Sequence, residues 1–277
     1  MGKKRIAQTL ARAGLALGVS TVGRMLREKS SRRPKPAAAP GGEGEAERAS
    51  RSQGPIQARK PNDVWQVDLT VVPTAAGLWT TWFPFSIAQV WPFAWWVAFV
   101  VDQCSRRVLG FEVFAKEPDS AAMQKLFSET LEKTGAKPRY VVSDKGRQFE
   151  CLGFRGWCER HGIRPRYAAA GSIHATAIIE RFHRSLKEEW LRHIQIPLGR
   201  EKVRTEIEIY LQWFAVHRPH QGIGGKTPGA IYDGKDDKAR PAGADCVWDG
   251  KQPLELVVEF HERRRQLPIV HLKERAA

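Results

Sequence analysis

Cysteine is scarce in this chain: four cysteines occur in 277 residues, and no two of them form a Cys-x-x-Cys pair. This scarcity excludes a disulfide framework and a structural zinc site, and it indicates a cytoplasmic protein. A long uninterrupted hydrophobic run is also lacking, because prolines and a glutamine break the longest apolar stretch, residues 82–101. That break excludes a membrane-spanning helix there. Gln8 and Arg12 interrupt the apolar amino-terminal segment, which argues against a signal peptide.

Acidic residues are outnumbered, since 30 Asp and Glu stand against 45 Lys and Arg, for a formal net charge of +15. Residues 1–60 carry 14 Lys and Arg against 4 Glu, so most of the excess lies near the amino terminus. Neutralisation of phosphates drives basic proteins onto nucleic acids. The charge therefore favours a nucleic-acid partner, with a solvated basic tail as the alternative.

Composition divides the chain into four segments: a partial helix-turn-helix-like segment (1–30), a flexible basic linker (31–60), a core (61–235) and a C-terminal β extension (236–277). The first segment is predicted from two short helices joined by a glycine-containing turn, and an ordinary helical hairpin is the alternative. The linker is rich in Pro, Gly, Ala and charge and has almost nothing to bury. In the last segment a β-hairpin is predicted over 253–272, either as part of a small DNA-binding β module or as a docked tail.

The core carries the pattern of an α/β fold. Strands are predicted at 64–72, 93–101, 107–114, 139–142 and 163–167, and helices at 120–134, 148–161, 177–193 and 201–216. This order predicts a mixed five-stranded sheet with helices on its faces. We expect the first three strands to form an antiparallel meander, and the first and fourth strands to be neighbours at the centre of the sheet.

Three acidic residues lie where this sheet would bring them together. Asp68 lies in the first strand, Asp144 follows the fourth strand, and Glu180 lies on the helix after the fifth strand. Converging carboxylates repel one another, which raises their pKa values or requires cations. Hard oxygen ligands suit Mg²⁺ or Mn²⁺, and such clusters commonly hold two ions that act on a phosphodiester. The alternative is that these are three unrelated surface acids.

A basic row continues along the predicted helix from Glu180. Arg184 and Lys187 follow it by four and seven residues and project from the same side. The row suits a phosphate backbone that runs past the acidic site. A surface Glu–Arg pair that contributes a few tenths of a kcal/mol is the alternative.

Five motifs occur in order along the core: VWQVDLT, VDQCSRRVLGF, VVSDKGRQF, IERFHRSLKEEW and HRPHQGIGGKTP. Together they resemble the catalytic core of the retroviral-integrase-like DDE transposases of bacterial insertion sequences. The resemblance covers about residues 60–235 and includes the 35 residues between Asp144 and Glu180. It implies an RNase H-like fold and a metal-dependent reaction in which DNA is cleaved at transposon ends and joined to target DNA. It also implies a homo-oligomer on DNA, associated with the bacterial nucleoid.

The resemblance also implies roles for individual residues. Asp68, Asp144 and Glu180 match the family's catalytic, metal-binding acids, and they would hold two Mg²⁺ or Mn²⁺ ions. The SDKGRQF stretch is similar to the family's mobile active-site loop, with Gly146 as a hinge. The expected DNA contacts are Lys187, Arg184, Lys145, Arg147 and Gln148.

Two features depart from the family pattern or compete with the site. Residues 73–92 are longer than the usual turn and belong to a tryptophan-rich stretch, which favours an apolar flap over a base-stacking surface because it contains no Lys or Arg. Asp102 also ends a strand, but Arg106 and Arg107 follow it. We therefore expect Asp102 to form a turn-stabilising ion pair and exclude it from the site.

Other functions are compatible with parts of this pattern. A hydrolytic RNase H-like nuclease would share the fold. A catalytically inactive DNA-binding remnant of a transposable element is a second alternative, which the short amino terminus favours. A tyrosine recombinase would need a nucleophilic tyrosine among Arg and His residues, and both Tyr140 and Tyr210 are predicted to lie in the core.

Overall fold

The computed structural model describes residues 2–28, 56–74, 90–168, 176–234 and 254–274. Most of the predicted linker lies outside the described residues, as do Trp79 and Trp82 of the predicted flap. Within the described ranges, no helix is long and apolar enough to cross a membrane.

A five-stranded sheet forms the centre of the molecule. Its strands are β1 (Val64–Pro73), β2 (Ala94–Asp102), β3 (Val108–Phe114), β4 (Tyr140–Ser143) and β5 (Arg164–Tyr167). The spatial order is β3-β2-β1-β4-β5, with β1 antiparallel to β2 and parallel to β4. The predicted meander, the predicted neighbours β1 and β4, and the mixed character of the sheet are confirmed.

Eight helices surround or flank the sheet in the described residues. They are α1 (Lys3–Arg12), α2 (Val19–Glu28), α3 (Ser120–Thr134), α4 (Arg147–Glu150), α5 (Leu152–Arg160), α6 (Ala177–Glu189), α7 (Arg200–Val216) and α8 (Pro228–Tyr232). Helix α3 has the predicted bounds because both of its ends carry strong local signals. Asp119 accepts a 2.9 Å hydrogen bond from the Ala122 N–H at the start, and Gly135 has φ 60° at the end.

The single helix predicted over 148–161 is wrong, because the chain is extended at Cys151, with φ −66° and ψ 154°. The Cys151 thiol accepts a 3.4 Å hydrogen bond from the Phe154 N–H and so caps α5 separately from α4. The helix predicted to reach residue 193 is shorter than expected, since α6 ends at Glu189. A 3₁₀ turn, Leu191–His193, follows it.

Two hydrophobic layers pack on opposite faces of the sheet. Trp65 and Val67 of β1 belong to the layer with α3 and α5, whereas Val72 packs with Ile179 in the layer with α6 and α7. Side chains alternate between the faces of a strand. Asp68, four residues before Val72, therefore points toward α6.

The amino-terminal helices and a carboxy-terminal hairpin lie against the α6 and α7 side. Arg5 of α1 forms a 2.6 Å ion pair with Glu189, which also binds Arg218 of the loop after α7. Strands β6 (Leu254–Phe260) and β7 (Pro268–Glu274) pair antiparallel. The Trp213 indole of α7 donates a 3.0 Å hydrogen bond to the Pro268 carbonyl, which ties the hairpin to the core.

Candidate active site

The sheet places Asp68 and Asp144 at the same height. Strands β1 and β4 are paired in parallel through Gln66 and Val142. Asp68 and Asp144 each lie two residues beyond that last pair, on adjacent strands. Because both strands run in the same direction, Asp68 lies beside Asp144 at the edge where β4 ends, although β1 continues past it to Pro73.

Helix α6 brings Glu180 to this edge by packing across β1. Glu180 is the fourth residue of the helix and is exposed. Its Oε1 atom accepts a 2.6 Å hydrogen bond from the Thr176 hydroxyl. The preceding residue, Ile179, donates its backbone N–H to Oε1 of Gln66 on β1 over 3.1 Å. The first turn of α6 is thus held to the strand that carries Asp68.

The ionisation of Asp68 shows that the acids share one environment. Burial raises the pKa of Asp68 to about 7. The charges on Asp144 and Glu180 raise this pKa as well. A 2.8 Å hydrogen bond from the Leu69 N–H and the charge of Lys187 oppose these effects and lower the pKa. The charges of Asp144, Glu180 and Lys187 therefore all act on Asp68.

A histidine that sequence reasoning missed also contacts Asp68. The Nδ1 atom of His183 lies 3.5 Å from Oδ2 of Asp68. Burial, together with the charge of Lys187, lowers the pKa of His183 to about 3. The ring is therefore neutral at pH 7, and this contact is not an ion pair. Its position three residues after Glu180, on the buried side of α6, is the signal that could have identified it.

The donor chemistry of the site fits divalent cations. Within the described ranges, no three or more His, Cys, Asp or Glu side chains form a ready-made metal-ligand set. Asp144 Oδ1 accepts a 3.1 Å hydrogen bond from the Gly146 N–H, and Glu180 is turned toward Thr176. Nevertheless, all three candidate ligands are carboxylates, the donors that Mg²⁺ and Mn²⁺ prefer. Burial is the main cause of the raised pKa of Asp68 and the charges on Asp144 and Glu180 add to it, so a bound cation would favour the ionised form.

The predicted basic row on α6 faces solvent. Glu180, Arg184 and Lys187 are all exposed. Arg184 lines a groove of about 200 Å³ beside Arg181 and His220. Lys187 borders a larger groove of about 510 Å³ at the end of β1.

The loop after Asp144 contains both exposed basic residues and a buried glutamine. Lys145 and Arg147 are exposed, but Gln148 is only 8% exposed. A Cβ at Gly146 would collide with the side-chain amide of Gln148, so a larger residue here would displace that amide. Gly146 itself has φ −66°, which any residue can adopt. The burial of Gln148 leaves little of its side chain available to DNA.

The turn after β2 differs from the prediction. Asp102 is fully buried and accepts hydrogen bonds from the Ser105 N–H (2.7 Å), the Ser105 hydroxyl (2.6 Å) and the Asn62 N–H (2.8 Å). These hydrogen bonds close the turn in place of the expected ion pair, and Arg107 instead pairs with Asp233 at 2.7 Å. The exclusion of Asp102 from the site agrees with this arrangement.

Two aromatic predictions have different outcomes. Tyr210 is fully buried, as predicted, but Tyr140 is only half-buried, with the Arg139 guanidinium 4.8 Å from its ring centroid. Tyr140 begins β4, at the opposite end of the strand from Asp144. In the tryptophan-rich stretch, Trp95 is buried and donates a 3.0 Å hydrogen bond to the Pro197 carbonyl. Trp95 belongs to β2, however, and residues 75–89 lie outside the described residues, so the apolar flap stays a prediction.

Comparisons with known proteins relate the sequence to integrases and transposases. Two family models, both described as Integrase core domain, match residues 58–172 and 161–228. The transposase for insertion sequence element IS904 of Lactococcus lactis is 22% identical over 174 residues, which are 62% of this chain and 62% of that protein. A protein of insertion sequence element IS986/IS6110 of Mycobacterium tuberculosis is 26% identical over 239 residues, 82% of this chain and 79% of that protein. The chain thus spans less than two thirds of the length of the first relative.

A solved structure shares the fold over most of the chain. It is one chain of the cryo-EM structure of the simian T-cell lymphotropic virus intasome in complex with PP2A regulatory subunit B56 gamma. The TM-score is 0.51 at 13% identity, and the match covers 93% of this chain and 81% of that chain. These matches confirm the family resemblance and the RNase H-like fold that the motifs predicted.

Proposed function

Because the chain belongs to the integrase core domain family, we propose that it is a transposase, a DDE-type polynucleotidyl transferase. It cleaves DNA at transposon ends and joins the freed 3′ ends to target DNA. One observation carries this proposal: Asp68 and Asp144 each lie two residues beyond the pair of Gln66 and Val142 in parallel strands, and the Ile179 N–H next to Glu180 binds Gln66. We assign this chemistry to residues 61–235.

Asp68, Asp144 and Glu180 are the residues that would hold two Mg²⁺ or Mn²⁺ ions. When bound, such ions activate the attacking oxygen and stabilise the leaving oxygen of a phosphodiester. The chain itself orients the ligands through short hydrogen bonds. The Thr176 hydroxyl holds Glu180, and the Gly146 N–H holds Asp144.

The exposed basic residues around the acids suit the DNA backbone. Arg184 and Lys187 extend the site along α6, and Lys145 and Arg147 follow Asp144 in the loop. We assign these four side chains to phosphate contacts, which position DNA without reading its sequence. The joining of two transposon ends needs two sites, which supports a homo-oligomer on DNA, acting in the bacterial cytoplasm at the nucleoid.

The test is cleavage and joining of DNA that carries transposon ends, with Mg²⁺ or Mn²⁺, by the wild type and by Asp144→Asn. We expect the wild type to give nicked and joined products and the variant to lose nearly all of both. Asp119→Asn is the matched control, because asparagine also caps helices and α3 should keep its stability. A gel-shift assay should show that all three proteins bind DNA.

Other outcomes identify the alternatives. Nicked DNA without joined products would identify a hydrolytic nuclease. DNA binding without metal-dependent cleavage, unchanged by Asp144→Asn, would identify an inactive remnant of a transposable element.

A further inference from the structure

A buried glutamine connects the two elements that carry Asp68 and Glu180. Gln66 is fully buried and lies two residues before Asp68, so its side chain is on the same face of β1. Its Oε1 atom accepts the backbone N–H of Ile179 over 3.1 Å, and Ile179 immediately precedes Glu180. A single side chain therefore spans the distance between the strand and the helix.

This hydrogen bond replaces the usual cap of α6. Ile179 is the third residue of the helix, and the first N–H groups of a helix have no partner within it. A threonine at the N-cap normally accepts such an N–H through its hydroxyl. Thr176 makes no such bond, because its backbone is helical (φ −109°, ψ 0°). Its hydroxyl instead donates to Glu180 over 2.6 Å.

These two hydrogen bonds fix the first turn of α6, which carries Glu180. Gln66 satisfies the Ile179 N–H from the strand, and the Thr176 hydroxyl, one turn before Glu180, donates to the Glu180 carboxylate. Strand β1 is paired on both sides, by β2 and β4, and is therefore a rigid base for this contact. An α-helix turns about 100° per residue, so a small slip of the first turn would carry Glu180 away from Asp68.

We propose that Gln66 is a positioning residue whose side-chain oxygen sets the first turn of α6 and thereby the place of Glu180 relative to Asp68. The inference rests on the proposed function and adds a residue to its site. Gln66 acts through Ile179 and Thr176 and touches no reacting atom.

The experiment compares two substitutions of similar length. Gln66→Met removes the acceptor, whereas Gln66→Glu retains an oxygen that can accept the Ile179 N–H. Thr130→Val is the matched control, since it also removes a buried side-chain hydrogen bond to the backbone. That bond, from Thr130 to the Leu126 carbonyl over 2.7 Å, lies on α3 at the other face of the sheet. The readouts are thermal unfolding, Mn²⁺ binding to the DNA-free protein by electron paramagnetic resonance, and DNA cleavage.

We expect Gln66→Met and Thr130→Val to fold and to lower the melting temperature by similar amounts. Only Gln66→Met should weaken Mn²⁺ binding, by about 10- to 100-fold, as is typical when the support of a metal ligand is lost. The Mn²⁺ concentration for half-maximal cleavage should rise in parallel, while the affinity for DNA stays unchanged. Gln66→Glu should bind Mn²⁺ at least as tightly as the wild type, because it keeps the acceptor and adds a carboxylate near Asp68.

Three results would overturn the inference. Gln66→Met could bind Mn²⁺ as tightly as Thr130→Val, or Gln66→Glu could bind it as weakly as Gln66→Met. If Gln66→Met does not fold, Gln66→Asn takes its place, because it is polar but too short to reach the Ile179 N–H. Failure of both to fold would assign Gln66 to general stability. A wild type without metal-dependent cleavage would instead reject the proposed function, so the two failures are distinguishable.

Discussion

Two aspartates on neighbouring strands, Asp68 of β1 and Asp102 of β2, show how a buried carboxylate acquires its role. Burial is the largest influence on both and raises the pKa of each. Asp102 accepts hydrogen bonds from Ser105 and Asn62. Asp68 instead faces two other acids. Burial alone therefore does not distinguish the two aspartates, whereas the charges that act on Asp68 do.

The difference follows from the chain around each residue. Asp102 is followed within three residues by Ser105, which donates both its N–H and its hydroxyl, so the local turn satisfies the charge. Asp68 receives one backbone hydrogen bond, from Leu69, and its other neighbours come from distant segments. Asp102 stabilises a turn, whereas the role that we propose for Asp68 is to bind a cation.

The largest effect is expected from Asp68→Asn. Loss of one carboxylate removes several kcal/mol of transition-state stabilisation by divalent ions, which corresponds to at least about a 10³-fold lower rate. The initial rate of Mn²⁺-dependent DNA nicking, compared between the variant and the wild type, measures this loss. A variant that keeps a tenth of the wild-type rate would remove Asp68 from the site and with it the contrast to Asp102.

A second prediction concerns pH. Without divalent ions, the pKa of Asp68 is about 7 in the folded protein and 3.8 in its ordinary state. The unfolded chain therefore releases the proton first as pH rises, and the contribution of Asp68 to the free energy of unfolding is lost between these values. Wild type and Asp68→Asn should be equally stable below pH 4. At pH 7.5 the variant should be more stable by a few kcal/mol, on the order of 1.4 per pKa unit.

Urea unfolding across this pH range measures the difference between the two proteins. Addition of Mg²⁺ at pH 7.5 should stabilise the wild type and not the variant, because a cation that binds only the folded state favours it. A stability difference between the two proteins that does not change with pH would contradict the raised pKa of Asp68 in the folded protein.

A smaller effect, on stability and not on chemistry, is expected from Asp102→Ala. The change removes the acceptor of the buried Ser105 N–H and of the partly buried Asn62 N–H. The expected loss is about 2 kcal/mol in the free energy of unfolding, measured with urea. The cleavage rate per folded molecule should be unchanged. Loss of cleavage by a folded Asp102→Ala protein would show that the two aspartates are not functionally distinct.

The smallest effect is expected from Lys187→Gln, which removes a cation near Asp68. If Lys187 contacts a phosphate, the slope of log affinity for DNA against log salt should fall by about 0.9. Lys125→Gln is the control, because Lys125 is 79% exposed on α3, on the other face of the sheet. Equal salt dependence in both variants would exclude a phosphate contact by Lys187.

Local signals predicted some elements to the residue and missed others. Helix α3 was predicted correctly because Asp119 and Gly135 mark its ends. The break at Cys151 was not predicted, because the helical pattern of apolar residues continues across it and only the extended backbone reveals it. The role of Gln66 was invisible for a different reason, since its partner Ile179 is 113 residues away in the chain.

The order of strands and helices, and the identity of the three acids, follow from the sequence alone. Alternating apolar residues select a face for each strand, and the parallel pairing of β1 with β4 sets Asp68 beside Asp144. Tertiary structure decided the rest: the raised pKa of Asp68, the neutral His183 beside it and the cap of α6 by Gln66. Desolvation and charge interactions depend on distances in space, so they exist only once distant segments have packed together.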